Sequence, residues 1–195
     1  MPEPVLLRGG EFLNFFDVRT DPAHPGRHWE YVRRPHGRTG VTLVPVTADG
    51  RIILIDQFRW PLRDYVLELP SGLVEVDELG NTRAAAGREL AEETGVEFGS
   101  LRLLARGPLL PGVTDEINEF FHADVRRHGP FAADGLRLDV STGNHGEGER
   151  IRAVYALPLG QAADWLDSRR RGGAIVDLRI YVGLFFAERR PASAG

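Results

Sequence analysis

Along the first third of the chain, runs of aromatic and β-branched residues are broken by Asp, Pro and Gly. That pattern predicts short strands at Glu11–Arg19, His28–Arg34 and Val41–Thr47. Asp49-Gly50 reads as a hairpin turn into a further strand at Arg51–Gln57, so the simplest arrangement is an antiparallel β region. Another short strand falls at Tyr65–Leu69. Pro70, Gly72, Gly80 and Asn81 then mark a long loop whose length points to function rather than connection. The pattern turns helical at Thr82, with Thr82 as N-cap, Ala84 to Ala86 as strong helix formers and Gly95 as the stop; a helix is expected over Thr82–Thr94. Strands resume at Ser100–Arg106 and Asn118–Arg126. A polar, Gly-rich loop follows at Ser141–Gly148, then a strand at Arg150–Leu157 and two helices at Gln161–Arg171 and Val176–Arg189. With no internal repeat and no linker, strands mixed with a few helices give an α+β class, a mixed sheet between helices in an α/β/α sandwich, with an antiparallel β region at the N-terminus.

Composition narrows the function classes. A chain of 195 residues, 42% hydrophobic and 27% charged, suits one compact domain that buries a substantial core. A net charge of −4 and no basic stripe argue against nucleic-acid binding, while a small anionic substrate held by a few arginines and a metal remains compatible. The N-terminal residues lack the basic flank and apolar run of a signal peptide, and no stretch reaches the length of a membrane span; a cytoplasmic protein is expected, with no membrane partner. There is no cysteine, so any metal must sit on oxygen or imidazole ligands.

The chemistry concentrates in Gly72–Glu78 and Arg88–Val96. On a helix, Glu89 lies three residues from Glu92 and four from Glu93, so the three carboxylates converge on one face. Carboxylates that close repel one another unless a cation sits between them, and hard divalent ions such as Mg²⁺ or Mn²⁺ prefer oxygen ligands. Arg88, four residues before Glu92, is placed to orient it by an ion pair. An isolated run of this kind is more often a solvated acidic face; the preceding Arg and Gly-rich loop and the following Gly tip the balance toward a metal site.

Those two segments resemble the halves of the Nudix box: Gly72–Glu78 its Gx5E part, and Arg88–Val96 its REUxEExGU part. The family pattern has seven residues between them, whereas this chain has nine, Leu79–Gly87, which leaves the role of Glu78 open. The resemblance implies metal ligation by Glu89, Glu92 and Glu93, with Glu93 also catalytic and the Ser71 carbonyl as a further ligand. It extends over roughly Trp29 to Ala187 and is to the ADP-ribose pyrophosphatase branch. Gln57-Phe58-Arg59 and Leu67–Gly72 are similar to the strand leading into the box, with Arg59 meeting a phosphate. Leu110–Glu116 resembles that branch's proline-bearing segment and makes Glu116 a substrate-side residue. Trp29–Arg34 resembles the strand that stacks an aromatic ring on adenine and brings an arginine to the phosphates, which marks Trp29, Glu30 and Arg34 as substrate contacts. Asn144–Glu149 occupies the place of the branch's catalytic glutamate: Glu149 is the first choice of base and Glu147 the second, with His145 a weaker one.

The division expected is an N-terminal β region over 1–39, with strands exchanged between subunits of a homodimer, and a Nudix hydrolase domain over 40–195. The activity implied is metal-dependent hydrolysis of a nucleoside-diphosphate compound, ADP-ribose to AMP and ribose 5-phosphate. Competing readings are the same cleavage on another nucleotide sugar, a dinucleotide or a nucleoside triphosphate, or a non-catalytic nucleotide-binding module.

Overall fold

A computed structural model describes residues 3–21, 23–24, 26–35, 39–138 and 150–189. Its N-terminal part is a three-stranded antiparallel sheet of β1 (Val5–Arg8), β2 (Asn14–Arg19) and β3 (His28–Arg33). The first of these strands was not expected from the sequence, its four residues being too few to show a strand pattern. The second starts at Asn14 rather than Glu11, because the Gly10 N–H bonds the Asn14 side chain and Glu11–Leu13 turn outside the ladder.

The main sheet is built on β4 (Thr39–Thr47) and β5 (Arg51–Arg59). From Val41 to Thr47 β4 is buried at every position, so neither of its faces meets water. Its side chains alternate between two cores. Val41 and Leu43 join Ile53 and Ile55 of β5 on one face, and Val44 and Val46 join Ile52 and Leu54 on the other. Burying an aliphatic side chain of this kind stabilises by about 1.5–3 kcal/mol, so doubly covered strands dominate the hydrophobic contribution. The remaining strands are β6 (Asp64–Glu68), β7 (Ser71–Leu73), β8 (Glu97–Pro108), β9 (Ile117–Arg127), β10 (Arg137–Leu138), β11 (Ile151–Pro158) and β12 (Ile175–Val176). The central order is β10-β11-β5-β4-β9-β8, and the sheet is mixed because β4 and β9 run parallel, Thr39 opposite Ile117 through Thr47 opposite Val125.

Helix α1 (Thr82–Thr94) covers one face through Ala85, Ala86 and Leu90; α2 (Leu159–Arg171) and α3 (Arg179–Glu188) cover the other through Ala162, Leu166, Ile180 and Leu184. This is the α/β/α arrangement expected from the sequence. The cap of α1 differs: Asn81, not Thr82, caps it, because the Asn81 carboxamide oxygen accepts from the Ala84 N–H while Thr82 is already inside the helix. Gly95 ends it at a φ of 66°, its N–H bonded to the Ala91 carbonyl. The stretch expected to be a long loop after Pro70 contains β7, paired with β4, and a 3-10 turn at Val76–Glu78. The last helix starts three residues later than expected, since Ile175 and Val176 pair with Val66 and Leu67, and the Asp177 side chain accepts from the Arg179 N–H. No helix among the described residues is long and apolar enough to cross a membrane.

Candidate active site

One wall of the site is the face of α1 turned toward β7. Glu89 and Glu93 are buried there, while the Glu92 side chain is 43% exposed. The Ser71 N–H donates to Glu93 Oε2 at 2.8 Å, which ties β7 to the helix. At Gly72 any Cβ would lie 2.0 Å from the Glu89 carboxyl, so only glycine lets that carboxylate lie against the strand. Arg88 spans the acidic cluster. It donates to both oxygens of Glu78 at 3.0 and 2.9 Å, to Glu89 and Glu92 at 3.1 Å each, and to the Leu73 carbonyl at 3.2 Å. The hydrogen bond from Arg88 is the main reason the Glu78 carboxyl is held below the usual carboxylate range. The two additional residues between Glu78 and Arg88 do not part the two side chains: Glu78, at the end of the 3-10 turn, still meets Arg88.

The opposite wall is built around Glu68, at the end of β6 and 1% exposed. Arg59 donates to its two oxygens at 2.7 and 2.6 Å, and Arg179 to one of them at 2.9 Å. Arg179 also bonds Asp177 at 2.9 and 2.7 Å and the Ser71 hydroxyl at 3.2 Å. Burial pushes the Asp177 carboxyl up, but the bonds and charge of Arg179 outweigh it and hold it below its ordinary range. Further along, Arg34 pairs with Glu116 at 2.6 Å and Arg33 with Asp115 at 2.7 Å, fastening the end of β3 to the segment before β9.

Between these walls lies a cavity of about 580 Å³. Five residues singled out in the sequence line it: Arg34, Arg59, Ser71, Glu89 and Glu116. Trp29 and Glu30 stand outside its walls. The Trp29 indole N–H donates to the Gly112 carbonyl at 3.1 Å, with the ring over that glycine, and Glu30 is an exposed residue of β3 opposite Asp17. Glu147, Glu149 and His145 lie outside the described residues; Arg150, the next described residue, accepts at its carbonyl from the N–H of Phe58, the neighbour of Arg59.

Sequence reasoning passed over Arg179, Glu68 and Asn118. A lone arginine in the first turn of an otherwise apolar helix is electrostatically disfavoured there, and that oddity was the available signal for Arg179. Glu68, a single acid inside an apolar strand, carried a similar hint. Asn118 carried none.

Among the described residues no three acidic or histidine side chains form a ready cation cage. Glu92 turns to Arg88, leaving Glu89 and Ser71 on the cavity with Glu93 behind them. Such an all-oxygen set fits a hard divalent ion that keeps water and substrate oxygens in its shell.

The sequence model of the NUDIX domain matches residues 36–169. The chain therefore belongs to the Nudix family. Within it the similarity runs to the ADP-ribose pyrophosphatase-like branch. The chain is 37% identical over 95 residues to the ADP-ribose pyrophosphatase of Bacillus subtilis (strain 168), covering 49% of each protein. To the ADP-sugar pyrophosphatase of Mus musculus it is 40% identical over 99 residues, covering 46% of this chain and 44% of that one. These two matches thus span about half of the relatives' length. A longer match, 35% identical over 141 residues, covers 72% of this chain and 68% of the methanol dehydrogenase activator of Bacillus methanolicus.

Proposed function

We propose that this protein hydrolyses the pyrophosphate bond of a nucleoside-diphosphate compound, with ADP-ribose as the first substrate, giving AMP and ribose 5-phosphate. The observation that carries the reading is the pairing of two walls across one cavity: the carboxylates of α1 on one side, and Arg59 and Arg179, oriented by Glu68, on the other. The names of the Bacillus subtilis and Mus musculus relatives support the substrate class.

In this reading Arg59 and Arg34 hold the diphosphate oxygens through bidentate donors, and Arg179 adds a third guanidinium. Glu116 keeps Arg34 in place. Glu89, Glu92 and Glu93, with the Ser71 carbonyl, would hold Mg²⁺ or Mn²⁺, which when bound neutralises phosphate charge and makes water a stronger nucleophile. Glu149 takes the proton of the attacking water, Glu147 being the second choice, while the bridging oxygen leaves with the other phosphate.

Homodimerisation through residues 1–39 belongs to the same proposal. The β1–β3 sheet exposes Val5, Leu6 and Leu7, an apolar strand suited to a second chain, and light scattering would read the mass directly.

The test of activity is incubation of the full chain with Mg²⁺ and a nucleotide panel, with products separated by chromatography. AMP and ribose 5-phosphate from ADP-ribose are expected. No turnover of any diphosphate would leave a binding module. A second substrate is favoured by one observation: the GDP-mannose pyrophosphatase of Yersinia pestis (strain Pestoides F) matches over 88% of this chain at 26% identity, so GDP-mannose belongs in the panel.

A further inference from the structure

Strand β7 is three residues long, and all three line the cavity. Its ladder to β4 pairs Leu73, Gly72 and Ser71 with Gly40, Val41 and Thr42, a register too short to fix a backbone group closely by itself. Two side chains from distant elements add to it. Glu93 of α1 accepts from the Ser71 N–H at 2.8 Å, and Arg179 of α3 donates to the Ser71 hydroxyl at 3.2 Å. Ser71 is thus gripped from both helix layers that enclose the sheet.

Arg179 is itself held. β12 lies alongside β6, and the Asp177 N–H bonds the Leu67 carbonyl at 2.9 Å, which sets the head of α3 beside Glu68. Asp177 accepts from Nε and Nη2 of the guanidinium, Glu68 from Nη2, and Ser71 from Nη1. Four of its five N–H groups are therefore bonded within the protein. A planar fork fixed by two carboxylates has one position available to it, which the single ammonium of a lysine does not reproduce. One Nη1 N–H is left for a substrate oxygen, in the cavity that Arg179 lines together with Ser71 and Asn118.

Resting on the proposed metal site, we infer that Arg179 is a positioning residue for it. Through the Ser71 hydroxyl it fixes the peptide whose N–H orients Glu93 and whose carbonyl is the further ligand. Partners that orient metal ligands are worth about ten- to a hundredfold in metal affinity. Without the hydroxyl bond, β7 is left to β4 and Glu93 alone, and the Ser71 peptide is free to tilt. The sign of the effect separates this role from simple electrostatics. A guanidinium near a cation site repels the metal, so removing its charge alone should tighten metal binding. Weaker binding reports the lost link.

Titration of the full chain with Mn²⁺ alone tests this without turnover, the free ion being followed by its paramagnetic resonance signal. Ser71→Ala deletes one oxygen and threatens no core; it should weaken Mn²⁺ about tenfold. Ser71→Thr restores the hydroxyl and should recover the affinity. Arg179→Gln should weaken Mn²⁺ by a similar factor, and the double variant no further, because both changes break the same link. Unchanged affinity in Ser71→Ala would overturn the inference, and that variant decides the case if Arg179→Gln does not fold. Tighter binding by Arg179→Gln, or losses that add in the double variant, would overturn it too. Weaker inorganic pyrophosphate binding by Arg179→Gln with Mn²⁺ affinity intact would make the arginine a phosphate contact alone. If the unaltered chain binds no Mn²⁺, the metal site itself falls and the inference with it, whereas wild-type binding with unmoved variants removes the positioning role alone.

Discussion

The two walls of the cavity solve opposite electrostatic problems. Around Arg88 gather Glu75, Glu78, Glu89 and Glu92, with Glu93 behind them, one cation among five acids. Around Glu68 the arrangement is inverted: Arg59 and Arg179 converge on one buried carboxylate, and Asp177 completes a balanced set. The arginine wall therefore offers oriented donors without surplus charge. The α1 wall carries the surplus, and it is negative. A diphosphate entering between them meets repulsion until a divalent cation is present, so metal and substrate should bind with positive coupling.

The largest effect should come from removing that cation or the charge that holds it. Chelation should abolish turnover, and Glu93→Gln, which keeps an acceptor for the Ser71 N–H, should lower kcat/KM by roughly a hundred- to thousandfold. Steady-state kinetics with titrated Mg²⁺ would show whether the variant also needs more metal; full turnover would remove Glu93 from the site. Next comes Gly72→Ala, whose methyl group meets the Glu89 carboxylate. Activity should fall at least tenfold, in line with displacement of a group that positions a metal ligand, while the far-ultraviolet spectrum stays native. An active Gly72→Ala would mean that Glu89 can move without loss.

The other wall should answer in stability instead. Glu68→Ala removes the buried carboxylate that Arg59 and Arg179 share, but Arg179 keeps Asp177 and Arg59 is 36% exposed and hence partly screened, so a loss of about 3 kcal/mol in urea denaturation is expected, at the low end for a broken buried pair. An unchanged midpoint would mean that water replaces the carboxylate at no cost. The smallest effect belongs to Glu78→Gln. The ordinary value of this carboxyl is 4.5 and Arg88 holds it lower in the folded protein. Its contribution is thus present above pH 4.5 and lost as pH falls through the depressed value. Glu78→Gln should lower stability at neutral pH and flatten the acid limb below pH 4.5. Superimposable pH profiles would show that the pair with Arg88 adds nothing.

How much of this was legible in the sequence depended on the range of the contacts. Helix α1 was readable to both ends because its alanines and Gly95 act locally, and the cap was misplaced by one position because Asn and Thr both serve there. The three residues of β7 carry no strand pattern; pairing with β4 imposes it. Arg179 reaches Glu68 from 111 positions away, and no local signal encodes that meeting. Trp29 was chosen for its chemistry, and the fold of one chain seats it on Gly112.

The parallel pairing of Thr39 with Ile117 has a consequence during synthesis. Strand β4 emerges from the ribosome long before its partner exists, and its Val41, Leu43, Val44 and Val46 must wait, exposed, for the chain to reach β9. Closure of the central ladder is thus a late, non-local event, the kind that slows folding and leaves sticky strands available to other chains. Slow translation between the two segments should lower the soluble yield before it alters the finished protein.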